Sequence, residues 1–151
     1  MTPSTHPSPT IVEALSAEAS ELRMATFRLA RRLRAQRAVD AMSDGQFAVL
    51  AGLKIHGPHT LGELADRERV SAPSMNRTVN CLEEAGYLSR TPDADDRRKV
   101  NIDLTVTGRD VVDETVRRRD EWLEEALAEL SPTDRATLHA AAAIMGEVAA
   151  R

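Results

Sequence analysis

The segment Pro92-Asp-Ala-Asp-Asp-Arg-Arg-Lys-Val-Asn-Ile-Asp-Leu-Thr-Val-Thr-Gly108 constrains the fold more than any other part of the chain. It opens as a charged, turn-forming loop. It continues with Val100, Ile102 and Leu104 alternating with Asn101 and Asp103, the period of a half-buried strand. Tyr87-Leu88-Ser89-Arg90-Thr91 upstream supplies a partner, so the spacing predicts a short β-hairpin over 88–92 and 99–105. Its tip carries Arg97, Arg98 and Lys99. A small hairpin that holds cations away from a helical body suits reaching toward an anionic groove better than filling a core.

The rest of the chain reads as helix. N-cap chemistry recurs where Thr10 precedes Glu13, Ser43 precedes Gln46, Thr60 precedes Glu63, Thr107 precedes Asp110, and Ser131 precedes Pro132 and Asp134. Ser71 opens a further helix, with Pro73 tolerated in its first turn, and Gly57-Pro58 and Gly86 act as stops. Helices are thus expected over 10–38, 43–56, 60–67, 71–85, 107–130 and 132–149, after a flexible tail of residues 1–10. The fold class is mainly α with one hairpin.

Apolar seams run along both ends of the chain. Val12, Leu15, Ala19, Leu22, Thr26, Leu29 and Leu33 mark the first helix. Val112, Val116, Arg119, Leu123, Ala126 and Leu130 mark the fifth, and Leu138, Ala142, Met145 and Ala149 the sixth. A central domain this small cannot cover all of them, which favours a homodimer joined through 11–38 and 107–151, with 39–106 as a separate functional domain, over the alternative of a monomeric helical bundle.

Composition narrows the partner. Aromatics are only 3%, Phe27, Phe47, Tyr87 and Trp122, too few to stack unpaired bases, so duplex DNA is the better nucleic-acid candidate. The net charge is −4, and residues 39–106 hold eight Lys or Arg against eleven acids. No basic block exists, so attraction to DNA must rest on a few placed arginines and on helix N-termini. With 18 Arg against 2 Lys and abundant Ala, the chain carries the coding bias of a GC-rich bacterial genome. Cys81 is the only cysteine, which excludes an internal disulfide. The absence of a secretory or membrane-spanning apolar run leads to a cytoplasmic expectation with no membrane partner.

Thr60 to Leu82 has the form of a helix-turn-helix. Leu61, Leu64 and Ala65 face inward on the first helix, the chain turns at Arg69-Val70, and Met75, Val79 and Leu82 face inward on the second. The opposite face begins with Ser71, Pro73, Ser74, Asn76 and Arg77, where a recognition helix meets base edges. Arg can bond guanine bidentately and Asn adenine, while Ser and backbone N–H groups serve phosphates. Taken alone, the same pattern also fits a solvated helical hairpin.

Asp96-Arg97-Arg98 running to Leu104-Thr105-Val106-Thr107-Gly108, behind that helix pair, resembles the wing of the MarR family of winged helix-turn-helix regulators. Gln46-Phe47-Ala48-Val49-Leu50, Leu61-Gly62-Glu63-Leu64-Ala65 and Leu82-Glu83-Glu84-Ala85-Gly86-Tyr87-Leu88 match as well. The resemblance implies a homodimeric regulator on a pseudo-palindromic operator, most commonly a repressor released by a small phenolic or aromatic effector. It implies that Arg98 enters the minor groove, that Asp96 braces it, and that Arg97 is either a phosphate contact or an alternative groove ligand, with Lys99 a further DNA-contact candidate at the tip. It implies an effector cleft among helices 1, 2 and 5, for which Arg23, Arg28, Phe47 and His56 are lining candidates.

No phosphate loop, nucleophile elbow or paired-acid constellation appears, so an enzyme is not expected, and neither is a cofactor. His56 and His59 flank a turn and lack the further ligands a metal needs. A redox role for Cys81 is set aside in favour of a small tolerated side chain. The alternative to a DNA-binding regulator is a helical protein–protein interaction module.

Overall fold

The computed structural model describes residues 9–151, with side chains from residue 13 onward. The elements are α1 (Pro9–Ala35), α2 (Asp44–His56), β1 (His59–Thr60), α3 (Leu61–Glu68), α4 (Ala72–Glu84), β2 (Leu88–Pro92), β3 (Val100–Leu104), α5 (Val106–Ala128) and α6 (Pro132–Ala149). Two compact units divide at Ala35/Gln36. Most of the tail assigned to residues 1–10 lies outside the described residues. Since α1 already includes Pro9 and Thr10, Thr10 is a helical residue and not the residue before the helix.

The first unit is α1 itself. Leu15, Leu22 and Leu29 of its predicted seam are 56%, 53% and 43% exposed, and Phe27 stands out at 58%. The helix ends at Ala35 and not at residue 38, because Arg37 and Ala38 are engaged by the second unit. There Ala38 N–H donates to Thr115 Oγ1 at 3.1 Å, and the Arg37 carbonyl accepts from Arg118 Nη1 at 2.9 Å.

The second unit holds the sheet and the five capped helices α2 to α6. Ser43 with Gln46 and Thr60 with Glu63 form reciprocal capping boxes, and Ser71 Oγ accepts from Ser74 N–H. Gly57, at φ 79°, and Gly86, at φ 82°, stop α2 and α4 in the left-handed region. The sheet has three antiparallel strands in the order β1-β3-β2, with Leu88 opposite Leu104 and Arg90 opposite Ile102. The two-residue strand β1, in which His59 pairs with Ile102, is too short to show a period in sequence.

Val49, Leu50, Leu53, Leu64, Met75, Val79, Leu82, Leu88, Ile102, Leu104 and Val112 fill the core. The helix-turn-helix positions expected to face inward do so, with Leu61 at the margin. Val100 does not join them; at the tip of the hairpin it is 45% exposed. On α5 the buried positions are Gly108, Val112 and Thr115. Thr115 therefore replaces Val116, which is 44% exposed, and the start of α5 is part of this core. In α6 no residue is buried, and Leu138, Ile144, Met145 and Val148 are exposed.

The N-cap of α5 is Thr105 and not Thr107. Thr105 Oγ1 accepts from Gly108 N–H at 3.0 Å and donates to the Gly86 carbonyl at 2.6 Å, while Thr105 N–H donates to the Tyr87 carbonyl at 3.0 Å. Thr107 can offer the helix a cap, but it cannot also tie it to the end of α4.

At this junction Gly108 is indispensable for steric reasons. A Cβ there would lie 2.1 Å from the Tyr87 carbonyl oxygen and 3.2 Å from Leu104 Cδ2. Gly108→Ala should destabilise the protein by roughly 1–3 kcal/mol, the cost of overpacking, despite alanine's better helix propensity. Gly62→Ala on α3, where nothing lies within 4 Å, should be neutral or mildly stabilising. Thermal or urea unfolding of the two variants checks the contrast, and equal effects would refute the steric account.

Candidate nucleic-acid interface

The turn between α3 and α4 is set by one strained residue. Arg69, at φ 52° and ψ 43°, caps α3 in the left-handed conformation, and Val70 N–H donates back to the Ala65 carbonyl at 3.0 Å. A non-glycine residue held there costs on the order of 1 kcal/mol. In return the chain reverses tightly enough for Leu64 and Ala65 to meet Met75 and Val79 in the core.

With Met75, Val79 and Leu82 buried, the helical period turns Pro73 and Arg77 outward from α4, flanked by Ser74 and Asn76. Ser71, Pro73, Ser74, Asn76 and Arg77 are all exposed at the N-terminal end, where first-turn N–H groups and the helix dipole favour an anion. Among the described residues Arg77 makes no hydrogen bond or ion pair.

The loop between β2 and β3 is folded around Asp93, one of several acids in its turn-forming sequence. Its Oδ1 accepts from Asp95 and Asp96 N–H, both at 2.9 Å, and its Oδ2 from Asn101 Nδ2 at 2.8 Å. Asp93 N–H donates to the Lys99 carbonyl and Lys99 N–H to the Asp96 carbonyl, closing the loop. These donors hold the Asp93 carboxyl below its ordinary value of 3.8, the Asp96 N–H contributing most, then Asn101 and Asp95.

On this frame sits the expected pair. Asp96 Oδ1 accepts from Arg98 N–H at 3.1 Å and from Arg98 Nε at 3.2 Å. The Arg98 side chain is nevertheless 92% exposed. Only Nε is engaged, so the outer guanidinium nitrogens remain available. Arg97 and Lys99 are exposed on either side.

Arg90, which the sequence reading passed over, joins the two parts. From β2 it reaches Glu83 and Asn80 of α4 at 2.5 and 2.8 Å. No local pattern marks it, since its partners lie seven and ten residues away.

The two effector-site candidates on α2 do not converge. Phe47 packs at the edge of the core with the Arg119 guanidinium 4.3 Å above its ring. The space beside it, lined by Arg37, Val39, Met42 and Thr115, is about 10 Å³, room for hardly one water. His56 is exposed at the other end of α2, nine residues and about 13 Å of helix rise away. On α1, Arg28 lines an open groove with Met24, Phe27, Arg31 and Arg34, and Arg23 lies 6.0 Å from the Phe27 ring. His59 is held in the turn, its Nδ1 2.8 Å from the Gly57 carbonyl. Cys81 is exposed, with Gln46 Nε2 3.3 Å from its sulfur. Among the described residues no cluster of His, Cys, Asp or Glu could hold a metal ion, and no helix is long and apolar enough to cross a membrane.

The clasp predicts a pH response. A depressed carboxyl favours the ordered loop above its ordinary value, and this contribution is lost as pH falls from 3.8 through the folded-state value. The protection of the residue 94–99 amides, measured against their intrinsic exchange rates at each pH, should fall over that interval, and Asp93→Ala should show the lowered protection already at neutral pH with little change in global stability. Unaltered protection of these amides in Asp93→Ala would rule the clasp out.

Residues 42–100 match the family model described as MarR family. An HTH-type transcriptional regulator of Mycobacterium tuberculosis is 39% identical over 127 residues, covering 84% of this chain and 89% of the relative. The structure of a transcriptional regulator from Thermotoga maritima superposes with a TM-score of 0.73 at 26% identity, over 88% of this chain and 94% of that one. At 21% identity a MepR variant of Staphylococcus aureus, bound to an oligodeoxyribonucleotide, shares the fold with a TM-score of 0.68, over 87% and 96% of the two chains. The chain belongs to the MarR family of DNA-binding transcriptional regulators.

Proposed function

We propose that two copies of this chain form a homodimer that reads a pseudo-palindromic operator in the cytoplasm, each copy placing α4 in the major groove and its wing in the flanking minor groove. The observation that carries this reading is the Asp96–Arg98 pair. A 92% exposed arginine would ordinarily lose much side-chain freedom on binding. Fixed through Nε, it is aligned in advance, and a narrow minor groove supplies the negative potential that attracts it. Arg97 and Lys99 contact phosphates beside it.

On α4, Arg77 and Asn76 address base edges, while Ser71, Pro73, Ser74 and the first-turn N–H groups set the helix against the backbone. Dimerisation uses residues 11–38 and 107–151, and residues 39–106 bind DNA. The support is physical: α6 buries nothing, and α1 exposes Leu15, Leu22, Phe27 and Leu29. Apolar surface of that extent on long helices is stabilised by a second copy. The two-fold axis then sets half-sites about one helical turn apart.

Regulation is by repression, relieved when a small aromatic or phenolic compound binds. Because the space at Phe47 is so small, an effector there must displace the Arg119 guanidinium from the ring. Such a ligand changes the spacing of the two reading heads and favours the unbound arrangement.

Binding of the folded dimer to duplex DNA from upstream of its own gene should weaken steeply with rising salt, through counterion release. Arg98→Ala should weaken it by roughly tenfold or more, with the dimer intact on gel filtration. Arg77→Ala should cost about 1–3 kcal/mol and relax preference at one base pair. No binding at low salt would overturn the reading in favour of a protein-interaction module. Full affinity in Arg98→Ala would remove the wing arginine from it.

A further inference from the structure

Asn76, Asn80 and Glu83 are spaced by four and three residues, so they form one row along α4 on the flank facing the sheet. Arg90 of β2 meets all three. Nη1 donates to Glu83 Oε2 at 2.5 Å, and Nη2 donates to Asn80 Oδ1 at 2.8 Å with Asn76 Oδ1 at 3.4 Å. The guanidinium is partly shielded, and the Glu83 carboxylate offsets its charge.

A guanidinium has donors and no acceptor, so a carboxamide that faces it turns its oxygen inward and its NH₂ outward. We propose that Arg90 determines base specificity by this means: it holds the oxygens of Asn80 and Asn76 and leaves only NH₂ groups toward DNA. Adenine recognition by asparagine needs both halves of the amide, since the oxygen accepts from N6 and the NH₂ donates to N7. With the oxygens drawn to Arg90, that bidentate pair is denied. What remains suits an acceptor edge, such as guanine O6 and N7 or thymine O4. This corrects the simpler expectation that Asn76 selects adenine. It also makes Asn80, one turn farther along, part of the reading surface.

The inference rests on α4 being the base-reading helix, and one experiment separates the two claims. Wild type, Arg90→Met, Arg90→Lys, Asn76→Ala and Asn80→Ala dimers select from a pool of duplexes with a randomised central segment, and the bound sequences are counted. Methionine keeps the length of the side chain and removes the donors. Lysine keeps a charge for Glu83 but not the planar fork that spans Glu83 and both amides. Both Arg90 variants should admit adenine at positions where wild type excludes it, by about fivefold or more in relative enrichment. Asn76→Ala or Asn80→Ala should alter preference at those same positions.

Should Arg90→Met fail to fold, Arg90→Lys carries the test. An unchanged base profile in the folded Arg90 variants, with Asn76→Ala or Asn80→Ala still altering it, would overturn the role of Arg90 and leave α4 as the reader. A profile unchanged in all the variants and in Arg77→Ala would remove α4 as the reader, and the proposal with it. A loss of affinity uniform across all sequences would make Arg90 a purely structural tie, and would also overturn the proposal.

Discussion

The placement of α4 and of the wing in this fold depends on the contact between the first turn of α5 and the backbone at Tyr87. Three hydrogen bonds through Thr105 and the bare Cα of Gly108 bring the end of α4, the start of β2, the end of β3 and the start of α5 to one point. That point fixes the register of the hairpin, with Leu88 opposite Leu104, and so the distance from the core to the loop that carries Arg98. A residue larger than glycine at position 108 would shift the wing and α5 together.

The distribution of cations explains how a chain of net charge −4 engages a polyanion. Many arginines are neutralised within the fold: Arg90 by Glu83, Arg109 by Asp103, Arg118 by Glu114, and Arg117 by Glu114 and Glu121. Paired with two arginines, the Glu114 carboxyl is pulled from 4.5 down to about 2. By contrast, Arg77 and Arg97 make no such pair among the described residues, and Arg98 uses only Nε. The acids thus cancel charge along α5 and at the hinge of the wing, while the tips of α4 and of the wing keep theirs. Attraction confined to a few groups falls off quickly when those groups are out of register, which favours discrimination over general adhesion.

Much of this was legible in the sequence because the signals were local. The caps at Ser43, Thr60, Ser71 and Ser131 each need only a residue three positions on, and the structure has them all. The Asp96–Arg98 pair is likewise local, and only its outward exposure needed the fold. What was misread depended on contacts distant in sequence. Thr105 outcompetes Thr107 because of the Gly86 carbonyl, nineteen residues away. Thr115 takes the buried place expected for Val116 because its hydroxyl satisfies Ala38 N–H. A polar residue at the centre of a helix seam gives no hydrophobic signal. Asp93 read as an ordinary turn residue, since nothing in a turn's composition says that both carboxylate oxygens are used. Phe47 and His56 looked equivalent as members of one helix, yet one packs against the core and the other projects from the far end.

The Arg90 tie also bears on how the two readers act together. If wing and α4 moved independently, each would lose its own freedom on meeting DNA, and the penalties would add. The shared sheet, the Thr105 junction and the guanidinium across Asn80 and Glu83 make them one body before contact. The freedom that remains lies in the Arg77 and Arg97 side chains and in the outer guanidinium nitrogens of Arg98, beyond the Nε that Asp96 holds. An effector that acts from outside this body therefore has little reason to deform either reader. In the proposed dimer a small rotation of the whole unit would be sufficient, because two rigid heads meant to stand one helical turn apart fit the groove at only one spacing.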